Sequence, residues 1–393
     1  MNIVLIHPTS PGQFEYLIPF LARDPALRLA VVCRKLSQSL PSNVRVMTYQ
    51  VNMEDASAIE GCAREAAAVS IALKKLEAAE GFVPDVIVGH TGWGSLMYVK
   101  AFYPSARVVG YFEWYCSMMP EMKGAWFLDR SPLEARLYNT QKNAPLLSQL
   151  ESCDVRFTPT QWQRERFPAR YQADLQVVHE GVDTEFFSPA REGERPILPQ
   201  VGEGKEIVTY VARGLEPTRS FPLFMDAVRL LLARRPNCHV MIAGGEKTYY
   251  GSKPPQGKTW KQIEIEKGGF DPERVHFLDW LSREDYRDLL RASTVHVYLT
   301  LPYILSWSMV QAMSTGCCLV ASATPPVEEV MQDGVNGLLT ALDSPSRVAD
   351  RIEEVLTDGA LCEKVRFAAR ETVLERYRLE DCLRKQRNLL LEG

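Results

Sequence analysis

Several familiar signatures are missing from this 393-residue chain, and each absence narrows the chemistry. There is no C-x-x-C: nine cysteines, an odd count, are scattered from Cys33 to Cys382, which suggests neither a disulfide framework nor a structural zinc. The Cys317-Cys318 pair lies in an apolar run and reads as core. No Asp-x-Asp is present to hold a divalent ion against a diphosphate, and no His/Cys cluster has ligand spacing, so neither a metal nor another cofactor is expected. G-x-G-x-x-G is absent, which weakens the case for a dinucleotide-dependent dehydrogenase; G-x-S-x-G, H-E-x-x-H and G-x-x-x-x-G-K-[ST] are absent too. No run approaches the roughly 20 apolar residues of a membrane span, and Asn2 to Ile6 opens as a strand rather than a secretory signal, so a cytoplasmic location is expected. Nor is there a basic excess: 45 Lys and Arg face 49 Asp and Glu, a net charge of -4, which argues against a nucleic-acid partner. Any anion site must be local.

What is present is alternation. Short β-branched runs (Ile3 to Ile6, Ala30 to Cys33, Val44 to Tyr49, Val86 to Val88, Val108 to Phe112, Val155 to Phe157, Val177 to His179) are separated by helical stretches, the pattern of a parallel sheet covered on both faces. After a Gly-, Pro- and charge-rich passage ending at Lys205, it resumes with Ile207 to Val211, Val240 to Ala243, Val275 to Leu278, Val295 to Leu299, Cys317 to Ala321 and Gly337 to Leu339. The fold class expected is α/β, two doubly wound domains in series, with ligands at the carboxyl ends of the strands and the cleft between lobes as the active site. The domains are placed at 1–185 and 186–376, with a closing segment 377–393.

Four stretches in these positions could carry chemistry. Gly12, in Pro11-Gly12-Gln13-Phe14 after the first strand, lets backbone N–H groups approach a ligand, although an ordinary βα turn has the same form. Arg213 and Arg219 follow the strand that opens the second half, before a helix starting near Phe221; forked guanidinium groups grip phosphate oxygens. Ser306 reads as the N-cap of a helix that Gly316 ends, with the following N–H groups facing a ligand, and with the arginines it would form a three-sided phosphate cradle. Glu328 and Glu329, after Thr324-Pro325-Pro326, lie near a helix start and could be caps only. In the first half, His90 and Glu113 stand at carboxyl ends of strands. His90 is at least as readily structural. Glu113, between Phe112 and Trp114, is expected to be partly desolvated with a raised pKa that suits acid/base work.

In order along the chain, these residues resemble glycosyltransferase family 4, the retaining enzymes of the GT-B fold, and within it a bacterial subgroup of the group 1 glycosyltransferases. The resemblance is carried by His179-Glu180-Gly181-Val182-Asp183-Thr184, Tyr210 to Arg219, Ile242-Ala243-Gly244-Gly245, Leu305 to Gly337, the N-terminal Pro11 to Phe14, Gly110-Tyr111-Phe112-Glu113 and Thr158-Pro159-Thr160-Gln161-Trp162-Gln163. It implies two Rossmann-like domains facing each other across a cleft, with the helix Leu379 to Leu391 crossing back to the first. It further implies a metal-independent hexosyl transfer from a nucleoside-diphosphate sugar to a glycan, lipid-linked or small-molecule acceptor, in surface polysaccharide assembly. Arg213 matches the arginine that holds the donor diphosphate, Arg219 stands for a second basic residue, and Gly12 matches a flexible glycine near donor and acceptor. Gly244, Tyr250, Tyr303, Ser306, Trp307, Ser308 and Gln311 are implied as further donor contacts. Glu113 stands where many relatives have a histidine contacting the donor sugar, with His90 beside it among the catalytic candidates.

Two positions depart from the family. Relatives usually carry glutamates where this chain has Tyr303 and Gln311; the second ordinarily accepts hydrogen bonds from the ribose hydroxyls, and glutamine lacks the charge-assisted part, roughly 1 kcal/mol per bond. A 2′-deoxyribose donor would ask less of that position. The same departure keeps open a catalytically weak sugar-nucleotide-binding protein of this fold, or an epimerase. The aromatic loop Glu113 to Asp129, with Trp114, Tyr115, Met118, Met119, Trp126 and Phe127, is the expected acceptor side and admits a peripheral membrane contact at the inner face.

Overall fold

The computed structural model describes all residues except 118–130, 192, 195, 197, 252 and 393. The alternating runs form two sheets. In the first, β1 (Asn2–Ile6), β2 (Arg28–Cys33), β3 (Val44–Thr48), β4 (Val86–His90), β5 (Arg107–Tyr111), β6 (Val155–Thr158) and β7 (Leu175–Val177) lie in the order β3-β2-β1-β4-β5-β6-β7. In the second, β8 (Glu206–Gly214), β9 (Cys238–Gly245), β10 (Val275–Phe277), β11 (Val295–Tyr298), β12 (Leu319–Ser322) and β13 (Leu338–Thr340) lie in the order β10-β9-β8-β11-β12-β13. Pairing is parallel on both sides of each first strand: Val4 is level with Ala30 and Ile87, and Tyr210 with Ile242 and Val297. Each sheet therefore begins in its interior and reverses direction there, β1 beside β4 and β8 beside β11. This is the doubly wound arrangement that leaves a crevice outside the carboxyl ends of those two strands.

Helices cover both faces, which is why the strands are continuously apolar rather than alternating. In the first sheet, helix α1 (Ala58–Glu80) starts at a capping box made by Ser57 and Glu60 and stops at Gly81, whose φ of 61° is left-handed. It buries Val69, Leu73 and Leu76 against Val4, Ile6 and Val32, while the closing helix Leu379–Leu391 places Leu383 and Leu390 among Ile3, Leu5 and Val88 on the other face. In the second sheet, α2 (Phe221–Arg234) packs Phe224, Val228 and Leu231 on Val208, Tyr210 and Val240, and α3 (Trp307–Ser314) packs Met309 and Met313 with Tyr298 and Leu319.

By contacts the chain divides into two compact units, one of residues 1–117, 133–181 and 379–392, the other built on Val182–Arg378. All nine cysteines are free, and Cys317 and Cys318 are buried as the apolar run around them requires. No described helix is long and apolar enough to cross a membrane.

Phe224 is fully buried and stacks on Tyr210, ring centroids 4.5 Å apart. Phe224→Ala should remove about 3–5 kcal/mol from the second unit. Urea unfolding followed by circular dichroism measures it, and a loss below about 1 kcal/mol would contradict this packing.

Candidate functional site

In the first unit, three histidines sit at or just past the carboxyl ends of strands and share one geometry. The backbone N–H groups of Thr9, Gly92 and Gly181 donate to Nδ1 of His7 (3.1 Å), His90 (3.1 Å) and His179 (2.9 Å), each two residues back. An amide nitrogen can only donate, so each neutral ring carries its proton on Nε2. From there His7 donates to Gln13 Oε1 (2.8 Å), His90 Nε2 lies 3.3 Å from Glu113 Oε2, and His179 Nε2 lies 3.8 Å from Glu180 Oε2. Gln13 Nε2 donates to Glu113 Oε1 (3.2 Å), Gln163 Nε2 holds the Glu113 main-chain carbonyl (2.6 Å), and Tyr111 donates its hydroxyl to Glu180. Trp93, 36% exposed, packs on both His7 (ring centroids 5.0 Å) and His90 (4.7 Å).

Electrostatics here correct one expectation. Burial does push Glu113 up, as its apolar neighbours suggested, but His90, its Nε2 3.3 Å away, together with the Gln13 hydrogen bond and His7, outweighs it, and the net direction is down. Glu113 is held as a carboxylate, an acceptor rather than an acid. His7 is pushed down to about 4, by burial first and then by the charge of His90, and stays neutral near pH 7. Gly12 is where a glycine is required: its φ is 52°, and a Cβ would stand 2.4 Å from the His7 ring.

In the second unit, the loops after β8, β9 and β11 are laced together. The β8 ladder is irregular between Val211 and Gly214, and Arg213 emerges there, exposed, its guanidinium 4.1 Å over the Tyr249 ring. Lys247 approaches the same ring (5.4 Å). Arg219 Nη1 donates to Thr300 Oγ1 (2.8 Å), with Tyr298 Oη and the Ile304 carbonyl each at 3.4 Å. Among the described residues neither arginine is in an ion pair. Glu216, only 1% exposed, accepts from the amides of Tyr249 (2.6 Å) and Tyr250 (3.0 Å) and so ties the β9 loop to the β8 loop; burial pushes its pKa up. Thr218 Oγ1 donates to the Tyr250 carbonyl (3.0 Å), and the Tyr250 ring meets Tyr303 at 5.2 Å. Gly244 is positive in φ, and a Cβ on it would collide with the Ala212 carbonyl at 2.2 Å.

Ser306 is the N-cap of α3, but the cradle needs correcting. The Ser306 N–H already donates to Tyr298 Oη (2.9 Å), and the Ser308 N–H to Ser306 Oγ (3.3 Å). Of the amides expected to be open, that of Trp307 alone makes no hydrogen bond among the described residues. Tyr298 instead joins Arg219 to the start of α3. Gln311 is half-buried one turn further along that helix, and its side-chain amide makes no hydrogen bond among the described residues. Glu328 ends the short helix Pro325–Glu328 and is exposed.

The structure thus groups His90 with Glu113 and Gly12 in the first unit, and Arg213, Arg219, Tyr250, Tyr303 and Ser306 in the second. Sequence reasoning passed over His7, Gln13, Trp93, Glu216, Tyr249, Tyr298 and Thr300. His7 directly follows β1 and Thr300 lies two residues past β11, which was the usable signal; Tyr249 and Glu216 had none. Of the aromatic loop, Met118, Met119, Trp126 and Phe127 lie outside the described residues.

Gly12→Ala should cost about 1–3 kcal/mol through backbone strain and the clash with His7. Gly334→Ala is the control, with φ of 66° and nothing within 4 Å of the added Cβ. Equal losses in urea unfolding for the two variants would show that the His7 contact adds nothing.

Comparison with known proteins bears directly on these two units. Residues 26–187 match the model of the glycosyl transferase family 4 group, and residues 205–358 that of the glycosyl transferases group 1. D-inositol 3-phosphate glycosyltransferase of Mycolicibacterium smegmatis is 29% identical over 211 residues, 53% of this chain and 46% of the relative. The protein of the same name from Nocardioides sp. is 27% identical over 237 residues, 56% and 50% of the two chains, so the alignments span about half the length of these relatives. Among solved structures, Anabaena HepE in complex with UDP and glucose superposes with a TM-score of 0.72 over 100% of both chains at 17% identity. Sucrose-phosphate synthase from Thermosynechococcus elongatus does so with 0.72, over 99% of this chain and 98% of its own, at 16% identity. These structural likenesses establish the GT-B fold, and with both family models matched in sequence the chain belongs to the family 4, group 1 glycosyltransferases.

Proposed function

We propose that this chain transfers a sugar from a nucleoside-diphosphate donor to an acceptor hydroxyl with retention of configuration and without a metal ion. The second unit holds the diphosphate, and the first supplies contacts to sugar and acceptor. The observation that carries this reading is the pair Arg213 and Arg219. They are two guanidinium groups at the carboxyl end of β8, beside the strand-order reversal, with no carboxylate paired to either among the described residues. Arg213 rests on an aromatic face and Arg219 on neutral oxygens, so their charge is available to an anion. The names of relatives and neighbours support it: the former are inositol phosphate glycosyltransferases, and HepE is bound to UDP.

In the reaction, the acceptor oxygen bonds to the anomeric carbon on the face the diphosphate leaves. The carbon–oxygen bond to phosphate breaks with its electron pair going to the phosphate oxygen, and that oxygen takes the acceptor's proton. Arg213 and Arg219 stabilise the charge growing on the leaving group, the largest electrostatic demand of the step. Glu113, kept ionised, accepts a hydrogen bond from a sugar hydroxyl. The acceptor is a polyol, glycan or lipid-linked hydroxyl, and the site of action is the cytoplasm or the inner membrane face.

Arg213→Ala should lower turnover about 10²–10³-fold with the melting temperature nearly unchanged. Wild-type turnover in that variant would remove the assignment. In a thermal-shift panel of UDP, GDP, ADP and dTDP, the correct nucleotide at 100 times its Kd should stabilise the protein by about 2.7 kcal/mol, and no response to any of them would count against a nucleotide donor. Gln311→Glu should strengthen the ribonucleotides relative to dTDP; an unchanged ranking would end the ribose argument.

A further inference from the structure

The second-row groups of the first unit are oriented, and their orientation has one direction. The Thr9 N–H occupies His7 Nδ1, so the His7 proton sits on Nε2 and points at Gln13 Oε1, 2.8 Å away. That contact fixes the Gln13 amide: turned over, it would set its N–H against the His7 N–H and its oxygen against Glu113. As placed, Gln13 Nε2 donates to Glu113 Oε1 at 3.2 Å. Gly12 is the reason the two rows can meet, since a side chain there would occupy the position of the His7 ring.

We propose that His7 and Gln13 are positioning residues for Glu113, a one-way hydrogen-bond relay from a backbone amide to the carboxylate that keeps Glu113 an acceptor for a sugar hydroxyl. The role for Glu113 rests on the function proposed above; the relay itself does not. His7, 6% exposed, does not reach solvent freely, and its neutrality near pH 7, a consequence of burial and of His90 nearby, leaves the direction of the relay unchanged through the physiological range. The titratable groups facing Glu113 are His90 at the end of β4, His7 after β1 through Gln13, and Tyr111 of β5 with Glu180 behind it. Of these, the β1 arm alone acts through an uncharged amide, so it can be removed without adding or deleting a charge.

The sign of the effect follows from the linkage. A carboxylate whose pKa is depressed in the folded protein stays ionised to lower pH than an ordinary glutamate, and removing an N–H that hydrogen-bonds to it lets the pKa rise. The test is the ¹³C-carboxyl titration of Glu113 in the full chain, with ¹⁵N spectra of the histidines to read tautomers. In the wild type, His7 should show a bare Nδ1 and a protonated Nε2, and Glu113 should titrate below the ordinary glutamate value. His7→Phe and Gln13→Met should each move that titration, and the acid limb of the turnover profile, upward; His7→Gln, which restores an N–H to Gln13, should move both back. General loosening of the loop would not be reversed by His7→Gln. Should His7→Phe fail to fold, the half-exposed Gln13 position carries the test alone. A Glu113 titration unmoved in both variants, or in Gln13→Met where His7→Phe is unfolded, overturns the relay. An opposite His7 tautomer does so as well. Glu113→Gln assayed with UDP-glucose as the probe separates the two readings. If it matches the wild type while the titrations move as stated, the relay stands and the role of Glu113 in transfer falls.

Discussion

Both units take their character from starting in the middle of their own sheet. The first strand neighbours the second on one side and the fourth on the other, so the two crossovers leave in opposite directions and neither can cover the end of the strand between them. The loops that follow these strands hydrogen-bond to one another. In the first unit this brings the turn after β1 against the turn after β4 and the end of β5, and in the second it brings the loops after β8, β9 and β11 into one lattice. His7, Gln13, Glu113, Glu216, Arg219 and Thr300 sit on these loops and Arg213 at the end of β8, whereas Gln163, His179 and Glu180 follow later strands of the first sheet and Gln311 lies on α3.

The two units solve the problem of open polar ends differently. The first uses fixed donors: backbone amides choose the tautomer of three histidines, and His7 passes an N–H to Gln13, whose own amide donates to Glu113. The second uses cations held on neutral supports, Arg213 on an aromatic ring and Arg219 on hydroxyl and carbonyl oxygens, with Glu216 spent on backbone amides rather than on either guanidinium. Glu216 acts on both arginines through space, but among the described residues it forms an ion pair with neither, so no carboxylate closes off either guanidinium in a chain that is slightly acidic as a whole.

The strands were readable because their signal is local. Runs such as Ile3 to Ile6 and Val295 to Leu299 declare a doubly buried strand from composition alone, and both sheets contain the thirteen runs that composition picks out. Ser306 was readable as an N-cap for the same reason, and Arg213 because a strand end and a forked cation coincide. The site contacts were not readable where they join distant parts of the chain. Gln13 and Glu113 are a hundred positions apart, and nothing near Glu113 reveals that an amide and an imidazole will reach it. Its apolar neighbours pointed to a raised pKa, and the long-range donors reversed the sign. The amides of Ser306 and Ser308 looked open for the complementary reason: the hydroxyl of Tyr298 that takes one of them belongs to a strand eight residues earlier, inside the core pattern.

The contact between Gly12 and His7 also shapes how this protein can change. The ring lies where any larger residue at position 12 would put its first carbon, so a side chain there is tolerable only if the imidazole is first exchanged for something smaller, and that exchange strands the amide of Gln13. Positions 7, 12 and 13 are therefore not three independent sites for variation. They form one unit of inheritance, in which the first step away from the present arrangement carries a loss that only a second step could repair.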